Sequence, residues 1–353
     1  MDRGEKKISV VYLVYDVSML FGGMRVIFEH VNRLQELGHE VEIWHAGSSD
    51  TPYFECHVPI KRYQVGLLDK PDVLVMTDPG FIPDVSKYRQ KRATFYLVQH
   101  DNEFINELAK STTEVGRVRE YIHHFQTGQW SIIVVSTWLK DVVKDKYDLP
   151  SIVIRNGIDH SLFHPSPPII NFRKPTVLLY YDPQAWKGFS EALYATRIVK
   201  ENVMDLEIII IGKLFPEENP AADRYFGLTF PALFISKPEQ ANLAGLYSSA
   251  TVFVSSSWKE GFGLPGLEAI ACGTPLVTTD SGGSSEYAID NQTAVIVPAQ
   301  DPTGIALGIA KVLQDASLRA HLSHEGVRKA KEFKWSRSIN ELEYLFKKSM
   351  LKP

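Results

Sequence analysis

Short apolar runs alternate with amphipathic stretches along the whole chain. The runs are rich in Val, Ile and Tyr, which is typical of parallel strands that crossover helices cover on both faces. They predict strands at residues 8–14, 41–45, 73–77, 94–99, 132–136 and 152–154, and then at 177–181, 207–211, 232–235, 252–255, 276–278 and 294–297. The fold class is therefore α/β, with doubly wound parallel sheets.

The first helix is the clearest of the intervening segments. Its apolar residues follow one another at steps of three and four, and Gly38 after them suits a left-handed cap. The predicted stripe consists of Met24, Ile27, Phe28, Val31, Leu34 and Leu37.

A polar, proline-rich stretch at residues 160–175 interrupts the alternation, and the same pattern then begins again. A length of 353 residues fits two domains. We predict a Rossmann-like domain at residues 1–155 and a second at 156–334. In such a pair the carboxyl ends of the strands, where ligands bind, face each other across a cleft.

Composition narrows the function classes. Hydrophobic residues make up 44% and charged residues 23% of the chain, as in soluble globular proteins. The net charge of −4 argues against a general nucleic-acid binder. Cys56 and Cys272 lack metal-finger spacing and indicate a reducing compartment. Because Asp16 interrupts the first apolar run, that run predicts a strand rather than a signal peptide. A cytoplasmic location is therefore expected.

A glycine-containing loop between a strand and a helix carries the main chemical signal. Gly261 and Gly263 let a ligand approach the backbone, and Pro265 suits the start of a helix. The helix N-terminus favours phosphate, whereas Glu260 and Glu268 offer acceptors to ligand hydroxyls. The predicted ligand contains both phosphate and sugar.

The two glutamates, with seven residues between them, resemble the donor site of the retaining glycosyltransferases of family 4. The resemblance extends over nearly the whole chain and implies the two-domain GT-B fold. It also implies a nucleotide-sugar donor, with a UDP-sugar as the first choice, and a sugar, glycan or lipid-linked acceptor. Neither a metal nor a cofactor is implied. Further matching motifs are Gly22-Gly23, Gln99-His-Asp101, Arg155-Asn-Gly-Ile-Asp159, Trp186-Lys-Gly188, Leu246-Tyr-Ser-Ser-Ala250 and Gly273-Thr-Pro275.

The resemblance also implies residue roles. Glu268 would bind the donor ribose, Glu260 and His100 would lie beside the transferred sugar, and Lys187 would neutralise the diphosphate. Catalysis would thus depend on Glu260, His100 and Lys187. The rest of the implied site comprises Gly23, Phe262, Gly263 and Leu264 toward the donor, and Gly22 and Asp101 toward the acceptor. Residues 335–353 would return to the first domain.

One position departs from the family pattern. An arginine is expected about five residues before the lysine, where this chain has Asp182. An aspartate at that position is expected to repel a phosphate. Either Lys213, after the strand at 207–211, supplies the second cation, or donor turnover is weak.

Several alternatives stay open. The glutamates could be solvated residues at a helix start, where negative charge is stabilising. A nucleotide-sugar epimerase or hydrolase of the same fold, or a nucleotide-sugar-binding subunit, would share these motifs. An NAD-dependent oxidoreductase is disfavoured because the Gly22-Gly23 turn after the first strand is not the GxGxxG fingerprint of dinucleotide binding. Adjacent His123 and His124 diverge around a helix and do not predict a metal site.

The predicted function is transfer of a sugar from the nucleotide donor to a hydroxyl, in polysaccharide or glycoconjugate synthesis. The basic cluster of Lys87, Arg89, Lys91 and Arg92 is compatible with peripheral contact to an anionic membrane. The sequence does not predict an oligomeric state.

Overall fold

The structure is a computed structural model in which the chain forms two compact units. The first unit comprises Met1–Gly157 and Trp335–Pro353, and the second comprises Ile158–Lys334. The described residues are 7–19, 22–68, 70–87, 93–101, 122–123, 125–171, 173–212, 227–228 and 230–350.

The first unit is built on a seven-stranded sheet in the order β3-β2-β1-β4-β5-β6-β7, and every neighbouring pair is parallel. Most of its central strands are fully buried, as expected for a sheet covered on both faces. The strands are β1 (Ser9–Val14), β2 (Glu40–His45), β3 (Ile60–Arg62), β4 (Val73–Met76), β5 (Ala93–Val98), β6 (Trp130–Val134) and β7 (Ser151–Val153).

The described helices of the first unit are α1 (Gly22–Glu36), α2 (Ile82–Val85), α3 (Thr137–Tyr147) and α9 (Trp335–Ser349). The predicted stripe of α1 is buried except for Leu37, which is half exposed because the helix ends one residue earlier. Gly38 has a φ of 90°, so the left-handed cap is confirmed.

Helix α9 lies against elements from the beginning of the chain. The Phe346 ring is 5.0 Å from the Phe95 ring of β5. A histidine–carboxylate contact also joins the helix to this unit, because His39 Nε2 lies 2.8 Å from Glu343 Oε1. The core of the first unit therefore includes residues from both ends of the chain.

The second unit has a six-stranded parallel sheet in the order β10-β9-β8-β11-β12-β13. Its strands are β8 (Thr176–Tyr181), β9 (Glu207–Gly212), β10 (Leu233–Ser236), β11 (Val252–Ser255), β12 (Leu276–Thr279) and β13 (Val295–Val297). Its described helices are α4 (Phe189–Asn202), α5 (Gln240–Ser248), α6 (Leu264–Ala271), α7 (Pro302–Gln314) and α8 (Ala316–Ala330).

The sheet order explains where ligand-binding residues lie in the second unit. Strands β8 and β11 are neighbours at its centre, so the segments after Tyr181 and after Ser255 emerge side by side. Strand order reverses at this point, which is where open parallel sheets bind ligands.

All twelve predicted strands are present, and the predicted fold class of two doubly wound parallel sheets is confirmed. The sequence prediction missed β3, which contains three residues, two of them exposed cations. A strand this short at a sheet edge has no apolar run to reveal it.

Candidate active site

Lys187 and Glu260 form an ion pair in the second unit. Lys187 Nζ lies 2.8 Å from Glu260 Oε1, which also accepts a hydrogen bond of 2.7 Å from Ser257 Oγ. The Lys187 side chain is 25% exposed and that of Glu260 is 12% exposed. Burial lowers the pKa of Lys187, but the carboxylates of Glu260 and Asp182 outweigh burial and raise it. The lysine is therefore a cation at neutral pH.

The backbone around Lys187 is joined to the segment that follows β11. The Trp258 amide donates to Trp186 O at 2.7 Å, and Ser256 Oγ donates to Lys187 O at 3.2 Å. Gly188, with a φ of 65°, makes this approach possible because a Cβ there would overlap Ser256 O. The ion pair thus joins two segments that already contact each other.

The backbone of Glu260 is fixed on its other side. Its amide donates to Ser281 O at 2.7 Å, and its carbonyl accepts from the Gly283 amide at 2.9 Å. These bonds hold the loop against the segment after β12. The carboxylate consequently projects from a backbone that is tied on both sides.

The loop leads into α6 through a left-handed residue. Gly263 has a φ of 82°, and α6 begins at Leu264, one residue before the predicted proline start. Tyr287 donates a 2.5 Å hydrogen bond from its hydroxyl to Gly263 O. Its fully buried ring lies 6.2 Å from that of Phe262. The phenol fixes the residue that precedes the helix.

Glu268 lies on α6 with a separate partner. It is 6% exposed, and its Oε2 accepts a 2.9 Å hydrogen bond from the Tyr247 hydroxyl. The pKa of Tyr247 is raised by burial and next by the Glu268 carboxylate. Burial, followed by the carboxylates of Glu260 and Glu268, also raises the pKa of Tyr287.

Four predicted residues lie at the carboxyl ends of strands in the first unit. Gly22 and Gly23 open α1, and the Gln99 side chain donates to Gly23 O at 3.2 Å. His100 Nδ1 is 3.1 Å from Asp101 Oδ1, and the side chain of His100 is 20% exposed whereas that of Asp101 is 1% exposed. The two side chains therefore lie in contact after β5.

Sequence reasoning gave no role to Ser257, Tyr247 or Tyr287. Ser257 and Tyr247 lie within or next to the quoted motifs, but only the fold shows that their hydroxyls point at carboxylates. Tyr287 follows β12, far from Gly263 in sequence, and no local pattern signals its contact. Lys213, Arg89, Lys91, Arg92 and His124 lie outside the described residues.

Metal clusters and membrane-spanning helices are both absent from the described residues. In that part of the chain, His, Cys, Asp and Glu side chains form no group of three or more that could hold a metal ion. None of the helices described there has the length and apolar character needed to cross a membrane.

Residues 167–329, which include the lysine and both glutamates, match the family model described as Glycosyl transferases group 1. A D-inositol 3-phosphate glycosyltransferase from Salinispora tropica is 35% identical over 116 residues, which are 33% of this chain and 24% of the relative. The capsular polysaccharide biosynthesis glycosyltransferase CapM of Staphylococcus aureus is 30% identical over 162 residues, 45% of this chain and 42% of CapM. The chain thus spans less than half the length of these relatives.

The fold of the chain is similar to that of solved structures. A crystal structure of Anabaena Alr3699/HepE, in complex with UDP and glucose, aligns with a TM-score of 0.77 at 14% identity. The alignment covers 96% of this chain and 99% of the Anabaena chain. The chain therefore has the GT-B fold. Its second unit is similar in sequence to group 1 glycosyltransferases.

Proposed function

We propose that the chain is a retaining glycosyltransferase of family 4 that moves a sugar from a nucleotide diphosphate sugar to a hydroxyl acceptor. The observation that supports this most directly is the Lys187–Glu260 pair, with Ser257, beside the start of α6. The pair combines a cation for phosphate with a carboxylate for sugar hydroxyls, inside the region that matches group 1 glycosyltransferases.

The donor in this proposal is a UDP-sugar. A similar fold holds UDP and glucose in the Anabaena structure, which supports uridine as the base. Glu268 accepts hydrogen bonds from the ribose hydroxyls, and Tyr247 orients its carboxylate. The backbone of Phe262, Gly263 and Leu264 borders the phosphates at the helix N-terminus.

The proposed reaction makes one bond and breaks one bond. The acceptor oxygen forms a bond to the anomeric carbon on the face from which the nucleotide leaves, and the bond from that carbon to the diphosphate oxygen breaks. The acceptor proton passes to an oxygen of the leaving diphosphate. Lys187 and the α6 amides stabilise the negative charge that develops there, so this scheme uses no metal.

In the first unit, the proposal gives His100 a hydrogen bond to the transferred sugar, with Asp101 as its orienting partner. Gly22 contributes to the acceptor side and Gly23 to the donor side. Similarity to CapM supports a role in polysaccharide or glycoconjugate synthesis, and peripheral contact with the inner face of a membrane is part of the same proposal.

Titration calorimetry with UDP, together with UDP release from UDP-glucose over a panel of sugar and lipid acceptors, tests the proposal. Lys187→Ala should weaken UDP binding roughly 10- to 100-fold, the range expected for losing one charge-assisted contact. Exposed Lys311 of the same unit provides the control variant Lys311→Ala. Wild-type protein that binds no UDP and turns over no nucleotide sugar would refute the proposal.

Product analysis tests the finer parts of the mechanism. Proton NMR should show the anomeric configuration of the donor in the product, and EDTA should leave the rate unchanged. Inversion would exclude the retaining mechanism, and loss of activity in EDTA with recovery on adding magnesium would exclude the metal-free one. Release of a rearranged nucleotide sugar without an acceptor product would instead identify an epimerase.

A further inference from the structure

Asp182 lies directly after β8 and is only 8% exposed, although it carries a charged side chain. A buried carboxylate is costly unless hydrogen bonds or positive charge compensate it. Asp182 Oδ1 accepts a 3.1 Å hydrogen bond from the Gln184 amide, two residues further along. The aspartate therefore closes a turn at the end of the strand.

That turn continues directly into Lys187. The Gln184 carbonyl accepts a 2.9 Å hydrogen bond from the Lys187 amide, and Ala185 O accepts one of 3.0 Å from the Gly188 amide. Residues Ala185–Lys187 form a short 3-10 turn that starts at Gln184. A chain of hydrogen bonds thus runs from the Asp182 carboxylate through Gln184 to the residue that carries the cation.

We propose that Asp182 is a positioning residue for Lys187, because its carboxylate fixes the turn that presents the lysine to Glu260. This inference rests on the proposed function, in which Lys187 binds the donor diphosphate. It replaces the expectation that an aspartate at this position only repels phosphate: the carboxylate is engaged with the Gln184 amide, and its negative charge favours the charged form of Lys187.

Three substitutions at this position separate the hydrogen bond from the charge. Asp182→Asn keeps a carbonyl oxygen that can accept from the Gln184 amide, Asp182→Ala removes the acceptor, and Asp182→Arg also reverses the charge. Losing one such bond should raise the Kd for UDP about fivefold in Asp182→Ala, and Asp182→Asn should recover most of that loss. Asp182→Arg should raise the Kd at least as much as Asp182→Ala.

A pH series provides a readout that a general packing defect would not change. Because the Asp182 charge favours protonated Lys187, both Asp182→Asn and Asp182→Ala should lose UDP affinity at lower alkaline pH than wild type. The matched control is Asp205→Asn, at an exposed aspartate of the same unit that pairs with Lys174. This substitution should not change the pH at which UDP affinity is lost.

Hydrogen exchange at the Lys187 amide tests the inference independently of nucleotide binding. Exchange should be faster in Asp182→Ala and close to wild type in Asp182→Asn. This expectation stands even if wild-type protein binds no UDP and the proposed function fails. Unchanged exchange in Asp182→Ala overturns the inference, as does tighter UDP binding by Asp182→Arg. Equal damage in the asparagine and alanine variants also overturns it.

Discussion

At the residue scale, the two glutamates are held by different chemistry. Glu260 faces a cation and a serine hydroxyl, whereas Glu268 accepts from a buried phenol. A diphosphate that takes Lys187 as its counter-charge must compete with Glu260 for it, and that exchange leaves Glu260 available to sugar hydroxyls. Glu268 accepts from the neutral Tyr247 hydroxyl, and the proposed function gives it the task of binding the ribose.

This difference predicts distinct kinetics for Glu260→Gln and Glu268→Gln. The first should lower kcat with little change in KM, because the proposed function places its carboxylate at the reacting sugar. The second should raise the KM for the donor roughly 10- to 100-fold, because the proposed ribose contacts would be lost. Steady-state kinetics with UDP-glucose checks this, and identical effects on both parameters would show that the roles are assigned wrongly.

Burial of His30 predicts a pH-dependent stability of the first unit. It is 1% exposed, and its Nδ1 lies 3.2 Å from the Tyr12 hydroxyl. Burial lowers its pKa from 6.5 to about 3. At a pH between these two pKa values, the unfolded chain binds a proton at His30 that the folded chain does not bind. The free energy of unfolding should therefore fall by about 1.4 kcal/mol per pH unit as the pH drops below 6.5.

Urea unfolding at pH 7 and at pH 5 measures this effect. His30→Phe should flatten the dependence, because phenylalanine cannot take up a proton in the unfolded chain. His57→Gln, at an exposed position in the same unit, is the control. If His30→Phe kept the slope of the wild type, burial of this imidazole would not be its source.

At the element scale, the start of α6 depends on a residue from another segment. Tyr287 donates to Gly263 O, and a Cβ at Gly266 in the first turn would overlap the same hydroxyl. The phenol and the helix are therefore fitted to each other. The helix N-terminus, which the proposed function places beside the phosphates, takes its position from this contact.

Gly266→Ala and Tyr287→Phe should therefore be coupled. Each alone should lower the free energy of unfolding, the first by overlap and the second by about 1 kcal/mol for the lost hydrogen bond. The double variant should be more stable than the sum of the two effects by about 0.5–3 kcal/mol, because the hydroxyl that causes the overlap is gone. Urea unfolding of the four proteins measures the coupling.

The control for this cycle is Tyr194→Phe, an exposed tyrosine of α4 in the same unit. It should add independently to Gly266→Ala. Strict additivity of the Gly266 and Tyr287 substitutions would mean that the hydroxyl does not limit the space at the start of α6.

The sequence predicts best those elements that have a clear pattern of apolar residues. The long apolar runs of β5 and β9, and the apolar stripe of α1, indicate both the type of element and its burial. The short β3 does not, since two of its three side chains point outward as cations. In the site, Glu260, Glu268 and Lys187 lie in sequence motifs, but Tyr287 acts through a contact with Gly263 that only the fold creates.

At the scale of the whole molecule, the first unit contains both ends of the described chain. Helix α9 buries Trp335, Ile339, Leu342 and Phe346 within it. The residues of the second unit lie between these two parts in sequence. Folding of the first unit therefore requires contacts of high sequence separation, such as those of Phe346 with Phe95 and of Glu343 with His39.

Phe346→Ala should consequently destabilise the first unit although it changes the far end of the chain. The ring is fully buried, and truncating a buried phenylalanine to alanine costs about 3–5 kcal/mol. Tyr344→Ala, two residues away on the exposed face, should cost far less. Hydrogen exchange should show lost protection in β1 and β5 and unchanged protection in β8 and β11. Equal losses in the two variants, or protection lost first in β8 and β11, would contradict the assignment of α9 to the core of the first unit.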